Sequence, residues 1–237
     1  MKYSIIVLCG GLGSRLSSIP NIKVKLLAPI SSKIFFDYFT QWLKLNNAIT
    51  EDLILAIGFN SSSICEYLLK RSLNIKTSIE KIQKGTLPAV IQASALAKYE
   101  DVLVLNGDTV FDVCFMDMYA KYLENTKRPL LSLKSLNNKE KIFTNGYSLM
   151  GRNNLKFVAE SPQFISCGAF FCKKSSLRKE IMTNFQWNNS MKYDLDIHFL
   201  DKERCRKYLC SKKYMIDIGT VEDFYKAQKL IPKYINF

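Results

Sequence analysis

Residue types that handle phosphate gather near the start of this chain. The apolar run Ile5-Ile6-Val7-Leu8 leads into Cys9-Gly10-Gly11-Leu12-Gly13-Ser14-Arg15-Leu16, and Lys25 follows ten residues after the arginine. Glycines after a buried strand let the backbone turn tightly and meet a ligand with no Cβ in the way. The loop amides favour an anion, and Arg15 and Lys25 add a guanidinium and an ammonium. Together they describe a site for a polyphosphate. The dinucleotide fingerprint is only half met, because Leu16 stands where its third glycine belongs, and no Gly-Lys-Ser/Thr completes a P-loop. An ordinary strand-to-helix turn would use the same glycines; Arg15 and Lys25 favour a nucleotide.

Two carboxylates stand at comparable places further on. Val102-Leu103-Val104-Leu105 ends in Asn106-Gly107-Asp108, so Asp108 falls at the carboxyl end of an expected strand, where an open α/β sheet binds its ligand. The same residues also make a good turn. Asp217, in Met215-Ile216-Asp217-Ile218-Gly219-Thr220, lies just ahead of an expected helix, whose start it would otherwise merely order.

The elements that must position these groups alternate through the first half. Strands are expected at 3–9, 52–57, 75–79 and 101–105, and helices at 33–46, 61–70, 88–98 and 114–124. This alternation predicts an α/β fold with a mostly parallel central sheet between helices. Shorter apolar runs follow at 129–134, 142–149, 155–159 and 165–172, separated by Asn-rich turns. They predict antiparallel or mixed sheet added to the same core. A last helix, 220–231, starts at Thr220, whose hydroxyl can cap it. The expected organisation is one domain over 1–237, with a nucleotide-binding half, 1–125, and an acceptor-binding half, 126–237.

Gly10-Gly11-Leu12-Gly13-Ser14-Arg15-Leu16, with Lys25 inside Val24-Lys25-Leu26-Leu27-Ala28-Pro29-Ile30, resembles the opening of the sugar-phosphate nucleotidyltransferases. The chain is most similar to the D-glycero-D-manno-heptose 1-phosphate guanylyltransferases. The resemblance implies a Rossmann-like, GT-A-like three-layer sandwich and transfer of a nucleotide from an NTP, here GTP, to a heptose 1-phosphate for surface polysaccharide synthesis. It implies that Leu8, Gly10, Gly11, Gly13 and Ser14 contact the nucleotide while Arg15 and Lys25 act on its phosphates. Asn106-Gly107-Asp108 resembles the family's metal-binding strand end, and Asp217 sits in a segment like its Asp-Ile-Gly-Thr/Ile-Pro-Glu-Asp, with Val221 for the proline. The cofactor implied is Mg2+, held by Asp108 and Asp217 from positions 109 residues apart. Magnesium characteristically takes one or two carboxylates plus substrate phosphates.

Ser78-Ile79-Glu80-Lys81-Ile82-Gln83-Lys84-Gly85-Thr86 resembles the base-recognition loop. Glu80, Gly85 and Thr86 are compatible with it; Leu87-Pro88 replaces two glycines. Gln83, whose amide both donates and accepts, is the candidate for a substitute base contact. The acceptor side departs further. Gly146 keeps a family glycine, and Glu160 matches a sugar-binding glutamate. Ser161 replaces its phosphate-binding lysine, Ser166 replaces a sugar-binding asparagine, and Gly168 is retained. Without the family, these three segments read as a β-meander whose glycines relieve crowding.

The net charge of +13, from 34 basic and 21 acidic residues, points to an anionic partner. No nucleic-acid motif accompanies the basic stretch 202–208, which reads as a solvated face. Phosphorylated small molecules, here NTP and sugar 1-phosphate substrates, explain the charge equally well. Apolar stretches are too short for membrane insertion. With no signal-peptide layout and seven scattered cysteines, the expected compartment is the cytoplasm with reduced thiols. A homodimer is the assembly considered. A glycosyltransferase of related fold, a cytidylyltransferase for another phosphorylated small molecule, and a non-catalytic nucleotide-binding relative are the rival readings.

Overall fold

Three apolar runs form the centre of the sheet. In the computed structural model, which describes residues 2–11, 14–16, 18–20, 22–49, 51–58, 60–135, 164–177, 205–211 and 213–237, β1 (Ser4–Leu8) lies between β4 (Leu53–Ile57) and β6 (Asp101–Asn106), parallel to both. Their side chains alternate between two buried faces. Ile5, Val7, Leu55, Ile57, Leu103 and Leu105 join one apolar cluster, while Ile6, Ile54, Ala56, Val102 and Val104 join the other. A strand buried on both faces reads as a continuous apolar run, which is why these segments were legible.

Among the described residues the sheet has seven strands, in the order β10-β8-β9-β6-β1-β4-β5. Here β5 is Lys76–Ile79, β8 Leu130–Ser135, β9 Phe164–Lys173 and β10 Arg206–Leu209. β9 runs antiparallel to both β6 and β8, so the second half of the chain extends the first half's sheet. Helices α1 (Phe35–Leu45) and α2 (Ser61–Lys70) cover one face, and α3 (Thr86–Ser94) covers the other through Leu87, Val90 and Ala93. α4 (Phe115–Leu123) and α5 (Val221–Tyr234) pack on the first face. The arrangement is the expected three-layer α/β sandwich with a mostly parallel sheet.

Two small pairings were not expected. β2 (Pro29–Ile30) and β3 (Lys33–Ile34) form a short hairpin, and β7 (Thr109–Phe111) pairs antiparallel with β11 (Met215–Asp217). Stretches this short carry little periodicity, so only their partners define them.

Two expectations need correction. The third helix was expected at 88–98 but spans Thr86–Ser94; Pro88 falls in its first turn, where no N–H is needed. The described part of the basic stretch is not simply a solvated face, because Arg206–Leu209 is edge strand β10, parallel to β8. Lys207 and Leu209 are exposed while Arg206 and Tyr208 turn inward, and Arg206 reaches Glu124 of the α4 end at 3.0 Å. A charged residue on an exposed edge discourages pairing with another chain. The runs expected at 142–149 and 155–159 lie outside the described residues.

Candidate active site

The parallel register sets the site's frame. Leu8 is the Cα partner of Asn106 on the neighbouring strand. The glycine loop after β1 and the Asn106-Gly107-Asp108 turn after β6 therefore leave the sheet side by side. Gly107 donates its N–H to the Leu8 carbonyl at 3.0 Å. A Cβ on Gly107 would stand 2.7 Å from that same oxygen and 2.9 Å from Cys9 Sγ, so no larger residue fits between the strands.

Arg15 lies in the 3-10 turn Ser14–Leu16, with its side chain exposed. Leu16, the residue in place of the third fingerprint glycine, is fully buried and pins this turn to the core. Lys25 opens a second 3-10 turn, Lys25–Leu27, anchored by buried Leu26. Its ammonium reaches back to Asp108 Oδ2 at 2.7 Å, with side-chain exposures of 17% and 30%. Thr109 donates its hydroxyl to Asp108 Oδ1 at 3.2 Å.

β11 brings Asp217 to the same place. Asp217 is the register partner of Thr109, and Ile218 N–H donates to the Asp108 carbonyl at 3.0 Å. Asp217 Oδ1 is buried and has no hydrogen-bond partner among the described residues. Burial, and then the neighbouring Asp108 charge, push its carboxyl from 3.8 up to about 7, against the pull of Lys25 and Arg15. Cys9 feels the same field: burial first and Asp108 second push its thiol up. Downstream, Thr220 caps α5, accepting from Asp223 N–H at 3.2 Å and donating to Asp223 Oδ2 at 2.6 Å. The expected cap at Thr220 is present, its hydroxyl serving both as acceptor for the helix's first turn and as donor to Asp223.

The base-loop residues border the glycine loop. Gln83 donates one side-chain Nε2–H to the Gly10 carbonyl, which orients the amide and leaves its carbonyl oxygen and second N–H as groups for a base. Glu80 N–H bonds to the Ile57 carbonyl at 2.8 Å, and burial raises the Glu80 carboxyl above its usual range. Gly85 precedes α3 at φ 113° and Thr86 is its first residue. Gly58, at the end of β4, was missed by sequence reasoning. Its Cα side faces the Gly10 carbonyl and Gln83 Nε2, at 3.0 and 3.1 Å from where a Cβ would be. Its position after a central parallel strand was the available signal.

Among the residues expected on the acceptor side, Gly168 sits in β9 at φ 77°, directly against Asn106: a Cβ there would lie 2.6 Å from Asn106 Nδ2. Ser166 Oγ accepts from Gly168 N–H at 3.1 Å. The structure thus brings Leu8, Gly10, Asn106, Gly107, Asp108, Lys25, Asp217 and Gly168 to the carboxyl edge of the central strands. Gly11 lies exposed in the loop itself. Gly13, Gly146, Glu160 and Ser161 lie outside the described residues.

A buried, unpartnered carboxylate oxygen beside a second carboxylate is an arrangement that a divalent cation with oxygen preference would satisfy. No cluster of three or more metal-ligating side chains occurs among the described residues. Two carboxylates suit Mg2+, which keeps waters and phosphate oxygens in its remaining positions.

The profile of the nucleotidyl transferase family matches residues 4–233, and the chain belongs to that family. It is 30% identical over 238 residues to the D-glycero-alpha-D-manno-heptose 1-phosphate guanylyltransferase of Aneurinibacillus thermoaerophilus, covering 97% of this chain and 99% of that one. Its identity to the Campylobacter jejuni protein of the same description is 32% over 222 residues, 93% and 96% of the two chains. Crystal structures of HddC from Yersinia pseudotuberculosis, one of them complexed with GMP-PN, superpose with a TM-score of 0.71 at 23% identity, over 97% of this chain and 99% of theirs. That last likeness speaks for the fold.

Proposed function

We propose that this member of the nucleotidyl transferase family joins GTP to a heptose 1-phosphate, giving a nucleoside diphosphate sugar and pyrophosphate in the cytoplasm. The single observation that carries the phosphate chemistry is Asp217 Oδ1, buried without a partner among the described residues and beside an Asp108 already gripped by Lys25. The choice of GTP and heptose rests on the two guanylyltransferase relatives.

An oxygen of the acceptor phosphate attacks the α-phosphorus in line, and the bond to the β-phosphate oxygen breaks. Such a transfer needs positioning and charge neutralisation rather than a protein nucleophile. Arg15 holds the departing pyrophosphate. Lys25 turns from Asp108 to the phosphates and neutralises charge at the reacting centre. Asp108 and Asp217 would hold Mg2+, which supplies charge compensation between the nucleotide and acceptor phosphates. Gln83, oriented by its bond to Gly10, offers an acceptor oxygen suited to a base edge that donates, as the guanine N–H groups do.

Pyrophosphate release by the pure protein, measured with each of four NTPs against a panel of sugar 1-phosphates with and without magnesium, tests this reading. GTP with a heptose 1-phosphate should give the highest kcat/KM. Preference for another base would overturn the guanylyl assignment, and no release with any pair would overturn the enzyme assignment.

A further inference from the structure

Lys25 acts on phosphate only if its backbone is held still, yet the segment that carries it is weak by itself. The 3-10 turn Lys25–Leu27 passes through Ala28, whose N–H bonds to the Lys25 carbonyl at 3.0 Å, straight into the β2–β3 hairpin. That hairpin pairs only Pro29 with Ile34 and Ile30 with Lys33, and its turn places Ser31 at φ 51°. A two-stranded hairpin is at best marginally stable in water, and a non-glycine residue at positive φ adds strain. Its position must be fixed from outside.

One side chain from a distant part of the sequence does so. Gln228, on α5, donates its side-chain Nε2–H to the Pro29 carbonyl at 2.7 Å, and its Oε1 accepts the Ser31 N–H at 2.6 Å. The amide thus replaces a missing strand neighbour at the hairpin's end. Beneath it, Ala227 and Ile231 of α5 share a buried cluster with Leu26, Ala28 and Ile30.

These contacts close a ring. Lys25 Nζ bonds to Asp108 Oδ2, and the Asp108 carbonyl accepts from Ile218 N–H. Asp217 precedes Ile218, and Thr220 caps the helix that carries Gln228. From Gln228 the path returns through Pro29 and Ala28 to Lys25. We propose that Gln228 is a positioning residue, whose amide clamp on Pro29 and Ser31 holds the backbone of Lys25 in place beside Asp108 and Asp217. The inference rests on reading Lys25 as the group that neutralises phosphate. It assigns Gln228 no contact with substrate.

The amide is only half buried, so water can satisfy Pro29 and Ser31 once it is removed. Gln228→Ala should therefore fold, while its effect appears at Lys25. Acetylation of the intact protein by an amine-reactive ester, read by peptide mass spectrometry, measures how firmly that ammonium is held. In Gln228→Ala, Lys25 should acetylate about fivefold faster, because a charge-assisted bond no longer retains it. Lys70, paired to Glu66 on the surface, serves as the unaffected control. Gln228→Glu keeps the acceptor for Ser31 but loses the donor to Pro29, and should fall between the two.

In turnover, Gln228→Ala should lose about tenfold in kcat with the KM for NTP nearly unchanged, as expected for misplacement of a transition-state group. In a Lys25→Ala background the same change should cost almost nothing, since both act through one group. Unchanged acetylation of Lys25, or a loss that adds in full to that of Lys25→Ala, would overturn the proposal. A wild-type protein inactive on every substrate pair would instead refute the assigned reaction, and the acetylation result would still decide this inference.

Discussion

Replacing Asp217 by asparagine should stabilise the metal-free protein, and by an amount that grows with pH. Folding moves this carboxyl from 3.8 to about 7, through burial and then the adjacent Asp108. Between those values the folded state keeps a proton that the unfolded state has released. Stability therefore falls as pH rises through the window, levelling off above pH 7. At about 1.4 kcal/mol per tenfold change in proton affinity, the full cost is on the order of 4 kcal/mol, with less than half of it present at pH 5. Asparagine has the same shape and no proton to lose, so it escapes the cost. Urea denaturation in EDTA, followed by fluorescence, reads the difference, since Trp42 is buried in the core. The variant should exceed wild type by roughly 4 kcal/mol at pH 8 and by less than half as much at pH 5. Magnesium at pH 8 should raise the stability of wild type but not of the variant. Turnover should be lost in the same variant, a site that trades stability for function. An equal difference at both pH values, or a loss of stability at pH 8, would refute the reasoning, because neither can come from a strained carboxylate.

Three further outcomes follow from the geometry. Lys25→Ala should lower kcat by about a hundredfold; without nucleotide it should also bind Mn2+ about tenfold more tightly by calorimetry, since no ammonium then competes for Asp108 Oδ2. Gly168→Ala, which forces a Cβ to 2.6 Å from Asn106 Nδ2 at φ 77°, should cost about 2 kcal/mol in denaturant melts and reduce turnover by displacing the Asn106 end of β6. At the opposite edge of the sheet, burial alone would raise the Asp52 carboxyl, but hydrogen bonds from Lys76, Ser4 and Lys98 N–H outweigh it and hold the value below its usual range. Its stabilising share is therefore complete above the unfolded value and is lost as pH falls through the lower folded one; Asp52→Ala should lose about 3 kcal/mol at pH 7 and less in acid, checked by melts at both.

The amino-acid sequence by itself determined the elements whose signals are local. Ile5-Ile6-Val7-Leu8, Leu53–Ile57 and Val102-Leu103-Val104-Leu105 could only be strands buried on both faces, and the helical stretches between them forced those strands parallel. That pattern placed the glycine loop and Asp108 at one edge of the sheet before any contact was known. Thr220, with its acidic first turn, announced α5 for the same reason: a cap is satisfied within four residues.

What the tertiary structure decided depends on contacts between distant positions. Only the pairing of β7 with β11 puts Asp217 beside Asp108, and short strands have no pattern that names their partner. The elevated proton affinity of Asp217 sums burial and the fields of Asp108, Lys25, Asp223 and Arg15, a sum that exists only once the chain has closed. Gln83 read as an amide with every group open to a base, whereas one of its N–H groups is bonded to Gly10. Nothing near Gln228 in sequence marks it out, because the backbone groups it clamps lie almost two hundred positions earlier. Such roles arise from packing, which joins residues that neither spacing nor periodicity relates.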